Sequence, residues 1–245
     1  MSDIVQSLWI GPRLTAMERL SIESFLRHGH EFHLYTYGDV DGIPAGTVVR
    51  DGREILPAER IFFYKEFASV SGFSNYFRYK LLLGRGGWWV DADMVCLRPF
   101  AFDSEHIFAS ELSKGVTHVS SGAIRAPRGS EAMAWAWEVC DSKDPQTLSW
   151  GETGPSLVAA AVERFGLQAC VQPPAAFCPF PFTDWHLLLE PDPPAIPAES
   201  SAVHLWNEMW RREGKDKDAA YDPGCLYERL KAEVAESQSL RVSEG

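Results

Sequence analysis

The stretch Gly86-Gly87-Trp88-Trp89-Val90-Asp91-Ala92-Asp93 decides how this chain is read. The two glycines end the helical pattern before them. Trp88, Trp89 and Val90 then form an apolar run without polar alternation, as in a short strand covered on both faces. Such strands belong to parallel sheets packed between helices. The run ends in two carboxylates, Asp91 and Asp93, with no basic residue between them. In a continued strand, positions i and i+2 share one face. Two carboxylates so placed repel each other unless a cation lies between them. Hard divalent ions such as Mg2+ and Mn2+ prefer oxygen ligands and often bridge to a substrate phosphate. Open α/β sheets bind ligands beyond the carboxyl ends of their strands, where this pair stands. A solvated turn would also carry two acidic residues, so the pair alone leaves both readings open.

On the N-terminal side, strand and helix alternate. Residues 4–10 read as a strand closed by Gly11-Pro12. Thr15 stands three residues before Glu18, the spacing of a capping box. Leu14, Met17, Leu20, Ile22, Phe25 and Leu26 then recur at helical spacing as far as His28. Phe32, Leu34 and Tyr35 mark a second strand and residues 47–49 a third. Residues 61–84 read as largely helical, with Phe73, Phe77 and Leu81 toward the core. Beyond the acidic pair, 106–111 and 116–124 read as strands. Residues 131–140 and 155–165 read as helices, with Trp135 and Trp137 assigned to the core. Residues 173–199 hold eight prolines and read as a surface-wrapping loop with one strand around 185–189. A strand at 202–206 and a helix at 225–234 close the chain. The expected class is α/β: one domain over residues 1–236, with a mostly parallel central sheet flanked by helices. Residues 237–245 are expected to fray.

Two further groups bear on chemistry. Ser74, Asn75 and Arg78 fall on one edge of the helix before the glycines, at i, i+1 and i+4. A guanidinium beside an Asp pair suits a diphosphate shared with a metal; a plain ion pair from Arg78 to Asp91 or Asp93 is the other reading. His204 lies between apolar Val203 and Leu205. It reads either as a satisfied structural histidine or as a third ligand to a metal at the Asp pair.

Composition narrows the function classes. The 245 residues carry a net charge of −11, which argues against general nucleic-acid binding. The first hundred residues account for −1 and the remainder for −10, which fits either a phosphate-bearing ligand on the N-terminal half or surface solvation alone. No run approaches the ~18 apolar residues of a membrane span, and the opening MSDIVQSLWIG has no basic leader. Five scattered cysteines with no C-x-x-C pair argue against a zinc ribbon and a disulfide framework, and for a reducing compartment.

Taken in order, Ser74-Asn75-x-x-Arg78-Tyr79 and Gly86–Asp93 resemble the signature of the DXD glycosyltransferases. The likeness is to family 32, with the related α-1,4-galactosyltransferases, the yeast initiating α-mannosyltransferase and the clostridial glucosylating toxins. Ser7-Leu8-Trp9-Ile10-Gly11 resembles that group's first strand, Thr153-Gly154-Pro155 its turn before a helix, and His204-Leu205-Trp206-Asn207 its C-terminal histidine motif. The resemblance implies a GT-A-like fold, a nucleotide-sugar donor, Mn2+ or Mg2+, and retention at the anomeric carbon. It implies base stacking by Trp9, with Ile10 beside it, and donor contacts from Ser74, Asn75 and Arg78. Asp91 would hold ribose and sugar hydroxyls and help bind the metal. Asp93 would be the direct ligand and His204 a further one, with Trp206 and Trp210 closing over the donor. UDP-sugars are the expected donors and GDP-mannose the alternative, with a saccharide or glycoconjugate as acceptor. The expected setting is the cytoplasm, at most peripheral at the inner membrane face, in polysaccharide biosynthesis. One departure stands out: Asn75 occupies the position of the group's usual Asp. Two other readings fit parts of the pattern: an aspartyl-nucleophile phosphohydrolase, which needs a second acidic pair downstream, and a non-catalytic nucleotide-sugar-binding module.

Overall fold

The structure is a computed structural model that describes residues 4–243, with side chains as far as 235. The chain runs β1 (Val5–Leu8), α1 (Ala16–Arg27), β2 (Phe32–Thr36), β3 (Val48–Asp51), α2 (Ser71–Arg85), β4 (Gly87–Val90) and β5 (Met94–Cys96). It continues through β6 (Ile107–Ser113), β7 (Val116–Ala126), α3 (Glu131–Asp141), α4 (Pro155–Arg164) and α5 (Pro174–Phe177). It closes with β8 (Ala202–His204), α6 (Asn207–Arg212) and α7 (Leu226–Ser243). Six strands form one sheet in the order β3-β2-β1-β4-β7-β6. β3, β2, β1 and β4 are mutually parallel, β7 runs against β4, and β6 runs against β7. Five of the six strands therefore point the same way, as the α/β reading expects. β5 and β8 pair separately as an antiparallel ribbon.

Alternation along β4 divides the core. Trp88 and Val90 join the apolar cluster on the α1 side of the sheet, while Trp89 joins the one on the α2, α3 and α4 side. The two tryptophans thus hold one strand between two helical layers, burying large rings on both faces. The turn into β4 depends on Gly86, whose φ is 70°. A Cβ there would lie 2.5 Å from the Arg128 backbone nitrogen. At α1 the capping box is formed, with the Thr15 N–H donating to Glu18 Oε2 at 2.7 Å. Glu18 is fully buried and its other oxygen takes Lys217 at 2.5 Å, tying α1 to the loop after α6.

Several expectations are corrected. Residues 61–70 are not helical: the Tyr64 N–H bonds to Ser69 O at 2.8 Å, and Ala68 has φ 48°, so the chain doubles back before α2 begins. Trp135 and Trp137 are half-buried; Arg164 covers the first ring, and Lys80 and Arg60 the second. The expected strand at 185–189 belongs to a 3-10 run, Phe182–Leu189, in which Trp185 and Leu188 both point inward. Three-residue periodicity places positions i and i+3 on one side. The closing strand stops at His204, because Trp206 is left-handed at φ 58°. β5 and α6 were not anticipated; they are three and six residues long, too short for a periodic pattern. α7 continues past 234 to Ser243, and Glu244 and Gly245 lie outside the described residues. No described helix is long and apolar enough to cross a membrane.

Trp210 is a further correction. It is fully buried, packs against Trp185, Tyr221 and Tyr227, and donates its indole N–H to Leu205 O at 2.8 Å. It is a core residue and does not line the cavity described below. Trp210→Ala should cost ~3–5 kcal/mol of stability, the range for deleting a buried large aromatic. Urea denaturation reads that loss; an unchanged midpoint would mean that the ring is not packed as described.

Candidate active site

β4 ends at Val90, and Asp91, Ala92 and Asp93 form a turn rather than a continued strand. The Met94 N–H closes it on Asp91 O at 3.1 Å. The two carboxylates therefore meet because the chain bends, not because they share a pleated face. The turn is anchored on both sides: the Asp91 N–H donates to Gly122 O on β7 at 2.8 Å, and the Leu205 N–H to Asp93 O at 2.9 Å. The β5–β8 ribbon sets Met94 opposite His204 and so delivers the imidazole to the same point.

The ligand atoms of Asp91, Asp93 and His204 all lie within 4.8 Å of one another. His204 Nε2 is 3.3 Å from Asp93 Oδ1, while Asp93 Oδ2 accepts the Asn207 N–H at 2.7 Å. Asp91 Oδ1 accepts from Trp89 Nε1 at 2.9 Å and Arg78 Nη2 at 3.1 Å. Asp91 Oδ2 faces the cluster beside Gly122. A Cβ on Gly122 would stand 3.5 Å from that oxygen and 3.3 Å from His204 Cε1, so glycine keeps the wall clear. Arg78 is only 3% exposed. It also donates to Ser121 O and Ser74 and lies 4.8 Å from the Trp89 ring centroid. The expected ion pair to Asp91 is therefore present, and it orients a guanidinium that still lines the cavity.

Burial alone would raise the Asp93 carboxyl, but the His204 charge and the Asn207 N–H hold it below its ordinary value. Burial likewise opposes charge on His204, yet Asp93 raises the imidazole well above its ordinary 6.5. Asp91 moves the other way: burial raises it, and Arg78 offsets only part of that.

These groups open onto a cavity of about 830 Å3 at the carboxyl edge of the parallel strands. That size suits a ligand larger than a single sugar. Trp9, Ile10, Ser74, Asn75 and Trp206 also line it, so among the expected site residues Trp210 alone lies elsewhere. The Trp9 indole N–H bonds to Arg13 O at 3.1 Å, and Lys217 stands 5.6 Å from its ring centroid. The Trp206 ring lies 3.8 Å from that of His204, and its N–H donates to Phe180 O at 2.9 Å. Its left-handed backbone, costly for a non-glycine residue, is what brings that ring onto the imidazole. Asn75 donates to Thr153 Oγ1 at 3.4 Å, so the amide that replaces the usual carboxylate reaches the Thr153-Gly154-Pro155 turn. Gly122, Ser121 and the Asn207 N–H were missed from sequence. A backbone donor and a wall of small residues leave no side-chain motif to find.

Residues 146–234 match the family model described as the alpha 1,4-glycosyltransferase conserved region. The likeness is to glycosyltransferases. The matched stretch holds the Thr153-Gly154-Pro155 turn, His204 and Trp206, whereas Arg78, Asp91 and Asp93 precede it. Among solved structures, the fold is similar to the PaToxG glycosyltransferase, with TM-score 0.52 and 12% identity over 98% of this chain and 87% of that one. The apo-form glycosyltransferase GlyE of Streptococcus pneumoniae TIGR4 aligns at TM-score 0.41 and 13% identity, over 71% of this chain and 46% of that one. No curated protein matches the sequence.

The His204–Asp93 pair makes a pH prediction for the protein held with a chelator. His204 binds its proton more tightly in the fold than in the unfolded chain. Its contribution to stability is therefore complete below pH 6.5 and is lost as pH rises through the raised value. The Tm should fall across that range, and His204→Ala should flatten the fall. An equal slope in both proteins would show that the pair is not formed.

Proposed function

We propose that this chain is a retaining glycosyltransferase that moves a hexose from a nucleotide-diphosphate sugar to a hydroxyl of a saccharide or glycoconjugate, with Mn2+ or Mg2+. The observation that carries this reading is the convergence of Asp91, Asp93 and His204 beside a buried Arg78, at the carboxyl edge of the sheet. The donor set fits such an ion. Two carboxylates and an imidazole come within 4.8 Å of one another, and among the described residues no donor reaches Asp91 Oδ2. A Mn2+ or Mg2+ ion would act as a Lewis acid on the diphosphate oxygens.

The chain's own residues account for the rest. The fixed Arg78 guanidinium places positive charge where the diphosphate leaves. Trp9 offers a ring face at the β1 end for the base, with Ile10 beside it. Ser74 and Asn75 present hydroxyl and amide groups to the donor from α2. Trp206 holds His204 by ring contact. In a retaining reaction of this kind the acceptor hydroxyl attacks on the leaving-group face, and the departing phosphate oxygen takes its proton. No strong base from the chain is required. Glu152 is engaged by Lys143 at 2.7 Å and by the Ser149 N–H at 3.0 Å, and does not line the cavity, which favours its role as a helix-start glutamate. UDP-sugars are the favoured donors and GDP-mannose the alternative. The cytoplasm, with at most a peripheral place at the inner membrane face, is the proposed setting.

The phosphohydrolase reading loses support. Asp91 Oδ1 is occupied by Trp89 and Arg78, and the third group of the cluster is His204 rather than a second acidic pair. A binding module remains distinguishable by its failure to hydrolyse the donor slowly with metal present.

A thermal-shift screen of UDP- and GDP-sugars, each with and without Mn2+, tests the reading directly. Native-state ligands raise the Tm, and a metal-dependent rise is expected for one class of donor. Asp93→Asn should lower turnover by roughly 10²–10³-fold or more while the protein stays folded; near-full turnover at saturating donor would remove Asp93 from the ligand set. Trp9→Ala should weaken UDP or GDP binding by roughly 1–3 kcal/mol, the scale of base stacking on an aromatic ring. Unchanged nucleotide affinity in calorimetry would assign Trp9 to packing alone.

A further inference from the structure

Glu111 lies on β6 and lines the same cavity. In the sheet, β1, β4, β7 and β6 follow one another. Neighbouring strands stand about 4.8 Å apart, so β6 lies roughly 10 Å beyond β4, on the side away from β1. The cavity therefore runs in a fixed order: Trp9 at β1, the Asp91–Asp93–His204 cluster after β4, Ser120 to Gly122 on β7, then Glu111 on β6. A donor whose base sits at β1 and whose diphosphate sits at the cluster has its sugar over β7, facing β6.

The Glu111 carboxylate is half-buried, yet among the described residues no hydrogen bond or ion pair reaches it. The charged and titratable groups that act on it are His204, across the cavity, and His118, its partner in the β6–β7 register. Partial burial raises its pKa, and the two histidines offset part of that. An ionised carboxylate offers about four acceptor positions, and those of Glu111 face the cavity it lines. Two neighbouring sugar hydroxyls would fill them.

We propose that Glu111 binds hydroxyls of the hexose being transferred and so selects the donor sugar. This rests on the glycosyltransferase reading above. Glu111 makes no bond to the reacting atoms in this role; it sets which sugar sits over the cluster.

The test compares each nucleotide sugar with its own free nucleotide. Calorimetry with Mn2+ measures wild type, Glu111→Ala and Glu111→Gln against a panel of UDP- and GDP-hexoses and against UDP and GDP alone. Glu111→Ala should weaken the preferred nucleotide sugar by about tenfold or more, while free nucleotide affinity stays within about twofold. Glu111→Gln keeps the shape and one acceptor oxygen, so it should bind more weakly than wild type and discriminate less between hexoses; it also serves if the alanine variant does not fold. Equal loss for sugar and free nucleotide, or no loss for either, would overturn the proposal. So would a change confined to the acceptor KM, which would place Glu111 at the acceptor. Wild type that binds neither nucleotides nor nucleotide sugars would instead refute the glycosyltransferase reading, and this inference with it.

Discussion

The contact between His204 and Asp93 is the constraint on which the site depends. Asn207, which donates to the same carboxylate, stands 114 positions after Asp93, so only the fold joins the two halves. Two carboxylates placed together in a poorly solvated turn are unfavourable unless positive charge and N–H donors surround them. His204, Arg78, Trp89 and the Asn207 N–H supply these. Each comes from a different element, and each element is shaped to deliver it. β8 stops at His204, the residue paired with Met94, Trp206 takes a left-handed conformation, and α6 starts with its first N–H on Asp93.

The sheet accounts for the direction of the cavity. With β1 and β4 parallel and adjacent, their carboxyl ends open on the same edge, and Trp9 and the Asp pair become neighbours. The reversal at β7 brings Ser121 O to Arg78 and Gly122 O to Asp91, so the wall of the site is backbone and small side chains. β6 then adds Glu111 at the far end. The helices on the α2 side hold this edge rigid from behind. Tyr79 donates to Thr153 O at 2.8 Å, and Asn75 reaches Thr153 Oγ1, so α2 and the start of α4 form one support.

The elements readable from the sequence are those with strong local signals. The capping box at Thr15, the glycine break before β4 and the doubly apolar Trp88-Trp89-Val90 run each express physics contained in a few consecutive residues. The run at 61–70 misled because its aromatic residues satisfy helical spacing, while the turn that stops a helix depends on Ala68 adopting a positive φ. Trp210 misled for a related reason: an indole beside a histidine motif can face a ligand or the core, and only the packing of Trp185, Tyr221 and Tyr227 decides. The chemistry of the Asp pair is legible in the sequence but its local geometry is not: strand spacing puts both carboxylates on one face, whereas the chain turns after Val90.

By itself, the sequence determined the α/β alternation, the placement of two carboxylates at a buried strand's end, and the nature of the groups that could meet there. These follow from hydrophobic periodicity and side-chain chemistry, which are local. The tertiary structure alone decided that His204 faces Asp93, that Arg78 is turned by Asp91 and Ser121 toward the cavity, and that Glu111 stands beyond β7 on the wall of the same cavity. Those placements depend on strand order and on short ribbons between distant segments, and a chain read in one dimension holds no physical term for either.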